Sequence, residues 1–389
     1  MHSVKLFSAV LAVAGAASAA TTCTKDVKVT QPTPVIDCDV VDADVIIDQA
    51  VSGSLSLEGP KQITGDLIVN NATQLVGISS SSINAIGGTL RLQGLQLLSS
   101  FNMQALKSVK SLELVNLAQL SGLTLGTSGV TKATSIKIQD TFISDLSGLN
   151  VATADNITIA NNGRLTMFNA KLENVTYTLS VVDNAGGMQI NMSRLESAGV
   201  LDFRSIKSFD APLLQTANRL SFQESPDLLS VSANNLTSIK DSLTLDNNKK
   251  LANISFTSLE KISGDMTIRN NTALLKINKF PQLKTIGGAV LLAGSFDTVE
   301  IPKLNDIKGA VTVTSTTDIS SFCSFFDDLK KNNAIQGKES CTSNNAKANE
   351  GGKGGTSGSG NNTDSAAMGL GVNHAVLGFA AVAGFAQLF

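Results

Sequence analysis

Residues able to carry acid–base or nucleophilic chemistry are scarce in this sequence. Histidine occurs twice, as His2 and His374, both inside terminal segments whose composition predicts removal. The remaining chain would hold no imidazole for a Ser-His-Asp or Cys-His site and none to ligate a metal ion. Any chemistry would have to come from carboxylates, lysine and arginine. We therefore predict a protein without catalytic residues, metal site or cofactor.

Four polar side chains in the second half of the chain are the best candidates for a binding patch. They are Asp202, Arg204, Gln223 and Asp246. Such residues meet only if the chain returns to the same place about every 20 residues, as it does in a solenoid. By the same spacing, Arg91, Glu113 and Lys137 would form a ladder of ion pairs, which is a structural rather than a functional arrangement.

The four cysteines lie in two groups, Cys23 and Cys38 near one end and Cys323 and Cys341 near the other. No two are spaced as in a CxxC metal or redox site. Four cysteines allow three connectivities. A stacked repeat separates the two ends by far more than the ~7 Å between Cα atoms that a disulfide spans. We predict the pairs Cys23–Cys38 and Cys323–Cys341, each worth roughly 3 kcal/mol.

A repeat supplies the elements that would position these residues. An apolar-x-apolar motif recurs about every 22 residues, the signature of a solenoid. Its thirteen copies begin at Val45, Leu67, Leu90, Leu112, Ile136, Ile157, Leu179, Leu201, Leu220, Leu243, Met266, Val290 and Val311. Apolar residues also recur eight and eleven places after most starts, as at Leu251 and Ile254. Alternation of period two is strand patterning, and one coil cannot bury its apolar side without a neighbour.

The repeat therefore predicts a mostly β protein, a single parallel β-solenoid of about 13 coils. The repeats occupy residues 45–321, with residues 20–44 and 322–341 as disulfide-stapled caps. Glycine before the strand, as at Gly264, suits a corner with positive φ or close backbone approach. Asn or Asp takes the fifth place in seven coils, at Asn71, Asn116, Asp140, Asn161, Asp183, Asn247 and Asn270. Its short side chain suits a ladder that holds the opposite corner.

Both ends of the sequence have the composition of sorting signals. Residues 1–19 combine Lys5, an apolar run and an A-x-A site, which predicts a secretory signal peptide cleaved before Ala20. Residues 365–389 combine small residues, a short polar spacer and a terminal apolar tail, the pattern of a glycosylphosphatidylinositol (GPI) attachment signal. Residues 342–364, rich in Gly, Ser and Asn, would form a flexible tether. The predicted attachment residue is Asp364, with Gly360, Asn362 and Ser365 as alternatives.

Eight N-x-[ST] sequons fit a secreted chain. Their acceptors are Asn71, Asn156, Asn174, Asn191, Asn235, Asn253, Asn270 and Asn361. Asn71 and Asn270 also belong to the predicted corner ladder, so an inward-bonding side chain and a glycan compete for the same amide. The 389 residues carry a net charge of −2, which gives no basic footprint for nucleic acid.

With these features together, the chain resembles the fungal GPI-anchored cell-wall organisation proteins of the sporulation-specific type, whose repeats are similar to receptor L domains and leucine-rich repeats. The residues that carry the resemblance are L-x-x-I-x-G-x-φ-x-φ-x-N-N units, such as Leu259 to Asn271, and the terminal cysteine pairs. No single motif is specific to this family. The combined architecture, which covers nearly the whole chain, is specific to it.

The resemblance implies a non-enzymatic, GPI-anchored glycoprotein that supports cell-wall organisation and integrity. It implies a route through the secretory pathway to the outer face of the plasma membrane and the wall. The GPI anchor would then bind the outer leaflet of the plasma membrane, and cell-wall glucan would be a further point of attachment. The alternative functions are a receptor-like adhesion or glycan-binding module, and a polysaccharide-active β-solenoid enzyme.

Overall fold

The computed structural model describes residues 20–126 and 129–350. The predicted signal peptide, the GPI signal, Asn361 and Asp364 lie outside the described residues. In the described part the chain winds into a single stack of three-sided coils in which every strand pairing is parallel. The architecture confirms the predicted β-solenoid.

The first side of the stack is a continuous ladder that we call the principal ladder. Its strands are Val27–Val29, Val45–Ile47, Leu67–Asn70, Ala85–Gln93, Ser108–Leu117, Ser135–Thr141, Thr153–Ala160, Asn174–Val182, Ser197–Arg204, Thr216–Gln223, Leu243–Asp246, Met266–Arg269, Val290–Gly294, Val311–Ser315 and Glu339–Thr342. All thirteen predicted starts are register partners in turn, from Val45 opposite Leu67 to Val290 opposite Val311. The ladder extends one strand beyond the predicted set at each end, to Val27 and Glu339.

The second side is a ladder of short strands that merges with the first into one 22-stranded sheet. Its separate strands are Thr22–Cys23, Val40–Val41, Gln62–Ile63, Ser238–Ile239, Lys261–Ile262, Thr285–Ile286 and Asp306–Ile307. In the coils between Gln62–Ile63 and Ser238–Ile239, the second side is formed by the first residues of the long principal strands. Val109, for example, lies opposite Ile86.

The third side is divided into three sheets. Its strands are Gly53–Ser56, Leu75–Ser80, Ser100–Met103 and Thr124–Leu125; Met167–Asn169, Met188–Asn191, Ile206–Asp210, Ser230–Ser232 and Asn253–Ser255; and Lys276–Ile277 and Thr298–Val299. Most of the apolar residues eleven places after the starts lie within these strands, as Phe101 and Ile254 do. Leu123 and Ile301 lie outside the strands, and Phe322 belongs to the C-terminal helix.

The interior of every coil is apolar. Strand alternation turns the two apolar residues of the repeat inward, so that Leu90 and Leu92 are fully buried and Arg91 between them is not. Phenylalanine rings pack together in the core, where the ring centroids of Phe203, Phe209 and Phe222 lie 5.0–5.3 Å apart. Each coil supplies only part of this core, so its burial depends on the coils above and below.

Glycine marks the corner before the principal strand because successive backbones nearly touch there. A Cβ on Gly309 would lie 2.4 Å from Ala289 N and from the carbonyl group of Gly288. Gly65, Gly88 and Gly288 would meet the preceding coil equally closely. These glycines have no positive φ, so close approach is the reason for the residue type.

Each cap holds one disulfide. Cys23 is joined to Cys38 with Cα atoms 5.9 Å apart, and Cys323 to Cys341 with Cα atoms 5.5 Å apart. The C-terminal cap also contains a helix absent from the sequence prediction, α1 (Ser320–Lys331). Phe322, Phe325, Phe326 and Leu329 recur at i, i+3, i+4 and i+7, which places one apolar stripe against the last coil.

Replacing Gly309 by alanine tests the close-approach account. The new methyl group would meet only backbone atoms, which cannot move aside singly, so we expect a loss of roughly 1–3 kcal/mol. Gly163→Ala is the matched control, since a Cβ there meets nothing within 4 Å. Denaturant midpoints at constant slope give the comparison. Equal midpoints for the two variants would contradict the account.

The open face of the principal ladder and its corner

The outward side of the principal ladder, which we call the open face, is the widest ordered polar surface in the described chain. Three rows of side chains run along it, from residues one before, one after and three after each start. The middle row is Ile46, Ile68, Arg91, Glu113, Lys137, Thr158, Ser180, Asp202, Ser221, Thr244, Thr267, Leu291 and Thr312. Parallel register places the members of a row on neighbouring strands, about 4.8 Å apart.

The predicted polar patch lies on this face. Arg204, Gln223 and Asp246 are register partners on consecutive strands, and Asp202 is in the adjacent row opposite Ser221. Three of the four side chains have a partner within the chain. Asp246 accepts a 2.7 Å bond from Arg269, Gln223 donates a 2.7 Å bond to Ser221 Oγ, and Arg204 lies 3.7 Å from Glu224. The sequence analysis missed Arg269 and Glu224, although a 20–23-residue offset from their partners would have found both.

Charged side chains elsewhere on the open face also form hydrogen bonds between successive coils. Arg91 Nε donates a 2.7 Å bond to Glu113, which raises the pKa of the Arg91 guanidinium, and Lys137 lies opposite Glu113 in register. In the first coils Asp44 accepts the backbone N–H of Asp66 at 2.8 Å, and Asp66 accepts that of Thr89 at 2.6 Å. These carboxylates stack because each one satisfies the backbone of the next coil.

The corner after the principal strand is left-handed at all seven fifth-place Asn and Asp residues. Their φ angles lie between 53° and 59°, and Ser205 and Glu224 adopt φ of 55° and 47° at the same place. The hydrogen-bonded ladder, however, belongs to the sixth place and not the fifth. The expectation that fifth-place side chains bond inward is wrong at Asn71, Asn161 and Asn247, which are exposed.

Buried sixth-place side chains bond the backbone of successive coils. Asn162 Oδ1 accepts from the N–H and hydroxyl of Thr141, and Asn162 Nδ2 donates to Ile138 O and Asn184 Oδ1. A second run joins Ser225, Asn248 and Asn271, where Asn248 Oδ1 accepts from Ser225 N at 3.0 Å and Asn248 Nδ2 donates to Phe222 O at 2.9 Å. Asn162 and Asn248 are fully buried, so the backbone groups they satisfy have no access to water.

The described sequon asparagines differ in accessibility. Five are exposed, namely Asn71, Asn156, Asn191, Asn235 and Asn253. Asn174 is half-buried, and its Oδ1 accepts a 2.6 Å bond from Ser197 Oγ. Asn270 is also half-buried, with Nδ2 3.5 Å from Asp246 Oδ1. Of the two acceptors that belong to the corner, Asn71 is therefore the more accessible to a glycan.

Outside the open face, the described residues form a cleft of about 240 Å³. It lies between α1 and the last third-side coil, and its walls include Ile301, Pro302, Phe322 and Phe325. Glu300 is the one carboxylate that lines the cleft, so the cleft lacks a pair of carboxylates for general acid–base catalysis.

Across residues 20–126 and 129–350, no three His, Cys, Asp or Glu side chains are grouped to hold a metal ion. No helix in these ranges is long and apolar enough to span a membrane.

Comparison with known proteins finds relatives among fungal surface proteins. The chain is 32% identical over 305 residues to a cell surface GPI-anchored protein of Arthroderma benhamiae, covering 78% of each chain. It is 30% identical over 306 residues to protein ecm33 of Aspergillus fumigatus, covering 78% of this chain and 75% of that protein. It is 31% identical over 311 residues to sporulation-specific protein 2 of Saccharomyces cerevisiae, covering 79% and 61%. No family model matches the chain, and no solved structure matches it significantly.

Adjacent asparagines allow a controlled test of the corner. Asn248→Ala leaves the Ser225 N–H and the Phe222 carbonyl buried without partners, and we expect a loss of roughly 2–4 kcal/mol from two such groups. Asn247→Gly is the control, because the exposed left-handed position suits glycine and the expected change is within about 0.5 kcal/mol. Equal destabilisation in equilibrium unfolding would refute the sixth-place ladder.

Side-chain accessibility also predicts glycan occupancy. The five exposed acceptors should be largely glycosylated in the secreted protein, and Asn174 and Asn270 less so because their amides are half-buried and bonded. Glycopeptide mass spectrometry measures occupancy site by site. Full occupancy at Asn270 with an empty Asn71 would reverse this ranking and contradict the corner geometry.

Proposed function

The chain belongs to the fungal Ecm33 family, and on that premise we propose that it is a non-enzymatic, GPI-anchored surface glycoprotein that supports cell-wall organisation and integrity. The observation that carries the proposal is the extent of the similarity. It covers 78% of this chain in the Arthroderma and Aspergillus relatives, so it must include most of the solenoid and not terminal signals alone. The relatives' names describe surface and wall proteins.

The side-chain chemistry supports a structural role. A polysaccharide-active solenoid needs carboxylates free to act as acid, base or nucleophile. On the open face Glu113 and Asp246 accept bonds from arginine, and Asp44 and Asp66 accept bonds from backbone N–H groups. Each of these carboxylates holds one coil to another.

The proposed location follows from the two sorting signals. The signal peptide, residues 1–19, would direct the chain into the secretory pathway and be cleaved before Ala20. Residues 365–389 would be exchanged for the GPI anchor at Asp364, with Gly360, Asn362 and Ser365 as alternatives. An anchor with two acyl-type chains holds the protein at the outer leaflet, where a single chain binds only marginally. Transfer to cell-wall glucan would give a second pool in the wall.

The domain organisation fits a display role. Residues 342–364 would join the solenoid to the anchor, and the structure carries the start of this segment back onto the last coils. Ala348 is buried, and Asn349 Nδ2 donates a 2.8 Å bond to Ser295 Oγ. The Gly, Ser and Asn content of the rest of the segment predicts flexible-coil behaviour.

A receptor-like adhesion or glycan-binding module is the second candidate. The observation that favours it is the middle row of the open face, where Thr244 and Thr267 place hydroxyl groups on two successive strands. The charged neighbours Asp246 and Arg269 neutralise one another. Hydroxyl groups donate and accept hydrogen bonds, so such a surface suits a neutral, hydroxyl-rich partner rather than a polyanion.

Deleting residues 365–389 tests the main proposal, because it removes the anchor signal and leaves the solenoid whole. We expect a folded protein in the medium and cells that are as sensitive to wall-perturbing dyes as cells that lack the gene. The readouts are the chain's distribution between medium and surface and the growth of the cells on the dye.

The matched control joins the same truncated chain to a GPI signal from an unrelated protein. Wall integrity should return, which would assign the defect to lost anchoring and not to the missing residues. Full wall function from the secreted form would instead favour a diffusible ligand-binding role. Surface retention without residues 365–389 would remove the anchoring premise.

A further inference from the structure

Tyr177 is an exposed aromatic side chain in a protein whose other large rings are mostly internal. It is the one tyrosine of the sequence, there is no tryptophan, and 60% of the Tyr177 side chain is exposed. By contrast Phe203, Phe209 and Phe222 are fully buried. An exposed ring on a rigid strand is a surface that a ligand with an apolar face can cover.

The strand that carries Tyr177 bulges at that residue. In the pairing with the preceding coil, Val175 lies opposite Ala154 and Thr178 opposite Asn156. Thr176 and Tyr177 therefore face one residue of the neighbour, Asp155. The extra residue pushes Tyr177 out of the regular alternation, so that both it and Thr176 are exposed. The ring consequently stands at the edge of the open face, beside the strand that carries Asn156.

Asn156 is a sequon acceptor on that neighbouring strand. It is exposed, and its register partner Thr178 directly follows Tyr177. Neighbouring strands are about 4.8 Å apart, so a sugar attached to Asn156 Nδ2 begins within one ring's width of Tyr177. In the following coil the corresponding position is Gly199, where a Cβ would lie 2.2 Å from Tyr177 O. No side chain can grow from that position to cover the other flank of the ring.

We propose that Tyr177 is the docking platform for the chain's own N-glycan, with the first N-acetylglucosamine on Asn156 packed against the ring. The inference relies on the secretory route of the proposed function, since only that route supplies the glycan. The apolar C–H face of a pyranose matches the electron-rich face of the ring, and the phenol oxygen stays in water. The glycan would be held along the solenoid edge instead of extending freely into solvent.

Asn174 is the rival acceptor, because it lies three residues before Tyr177 on the same strand. Its side chain is half-buried, and its Oδ1 accepts a 2.6 Å bond from Ser197 Oγ in the next coil. That bond directs the amide away from solvent and engages it in coil stacking. The geometry therefore selects Asn156 over Asn174 as the source of the sugar.

The composition provides a clean reporter. With one tyrosine and no tryptophan, fluorescence of the purified glycoprotein excited at wavelengths that phenylalanine does not absorb comes from Tyr177 alone. We expect acrylamide to quench this fluorescence weakly in the glycosylated wild type and more strongly in Asn156→Gln. The variant Asn174→Gln is the matched control and should retain wild-type protection.

Two enzymes refine the test on the unmutated chain. An endoglycosidase that leaves one N-acetylglucosamine should preserve the protection of Tyr177, whereas an amidase that removes the whole glycan should abolish it. The proposal is overturned if glycopeptide analysis finds Asn156 unmodified, if Asn156→Gln leaves quenching unchanged, or if protection is lost in Asn174→Gln instead. None of these results bears on whether the anchor supports wall integrity, so the two proposals fail separately.

Discussion

Backbone hydrogen bonding between successive coils is the constraint on which the rest of this molecule depends. Parallel strands stack about 4.8 Å apart, and no coil can bury its apolar side or pair its backbone alone. The other stabilising devices work at that same spacing. Gly309 removes a Cβ that would strike the coil before it, Asn248 spans from Ser225 to Phe222, and Arg91 reaches Glu113. Polar side chains thus act as connectors between coils.

The periodic part of the fold could be predicted from the sequence because strand alternation and coil length both leave a trace in residue type. Every apolar-x-apolar start from Val45 to Val311 proved to be in register. Asn and Asp at the fifth place indicate a turn at the corner, but they do not show which side chain faces inward. Two neighbouring asparagines, such as Asn247 and Asn248, look alike in sequence, and only their positions on the left-handed turn decide which one faces inward. Helix α1 was missed because its four apolar residues follow a repeat whose apolar pattern has a different period.

The sequence predicts where the residues of the candidate site lie, but not which partners their side chains bind. The repeat spacing correctly brings Arg204, Gln223 and Asp246 onto adjacent strands, because register depends on the same period that the sequence displays. What the sequence could not display is which partner each side chain prefers. Asp246 bonds Arg269 on the far side and Arg204 approaches Glu224 at the corner, so these two side chains of the patch make inter-coil contacts. The bulge at Tyr177 was likewise hidden, because one inserted residue falls within the ordinary variation of coil length.

The Cys323–Cys341 disulfide also determines how this protein would respond to a mechanical load. A pull on the chain after residue 341 first frees Ala348 and Asn349 from the last coils and then reaches Cys341. From there the covalent bond carries the force directly to Cys323, so the segment between the two cysteines, including most of α1 and the start of the final strand, bears none of it. The weakest end of the stack, a strand paired on one side only, is thereby bypassed. Load enters the molecule at the helix that packs against the last complete coil, and unravelling from the tethered end would have to begin there.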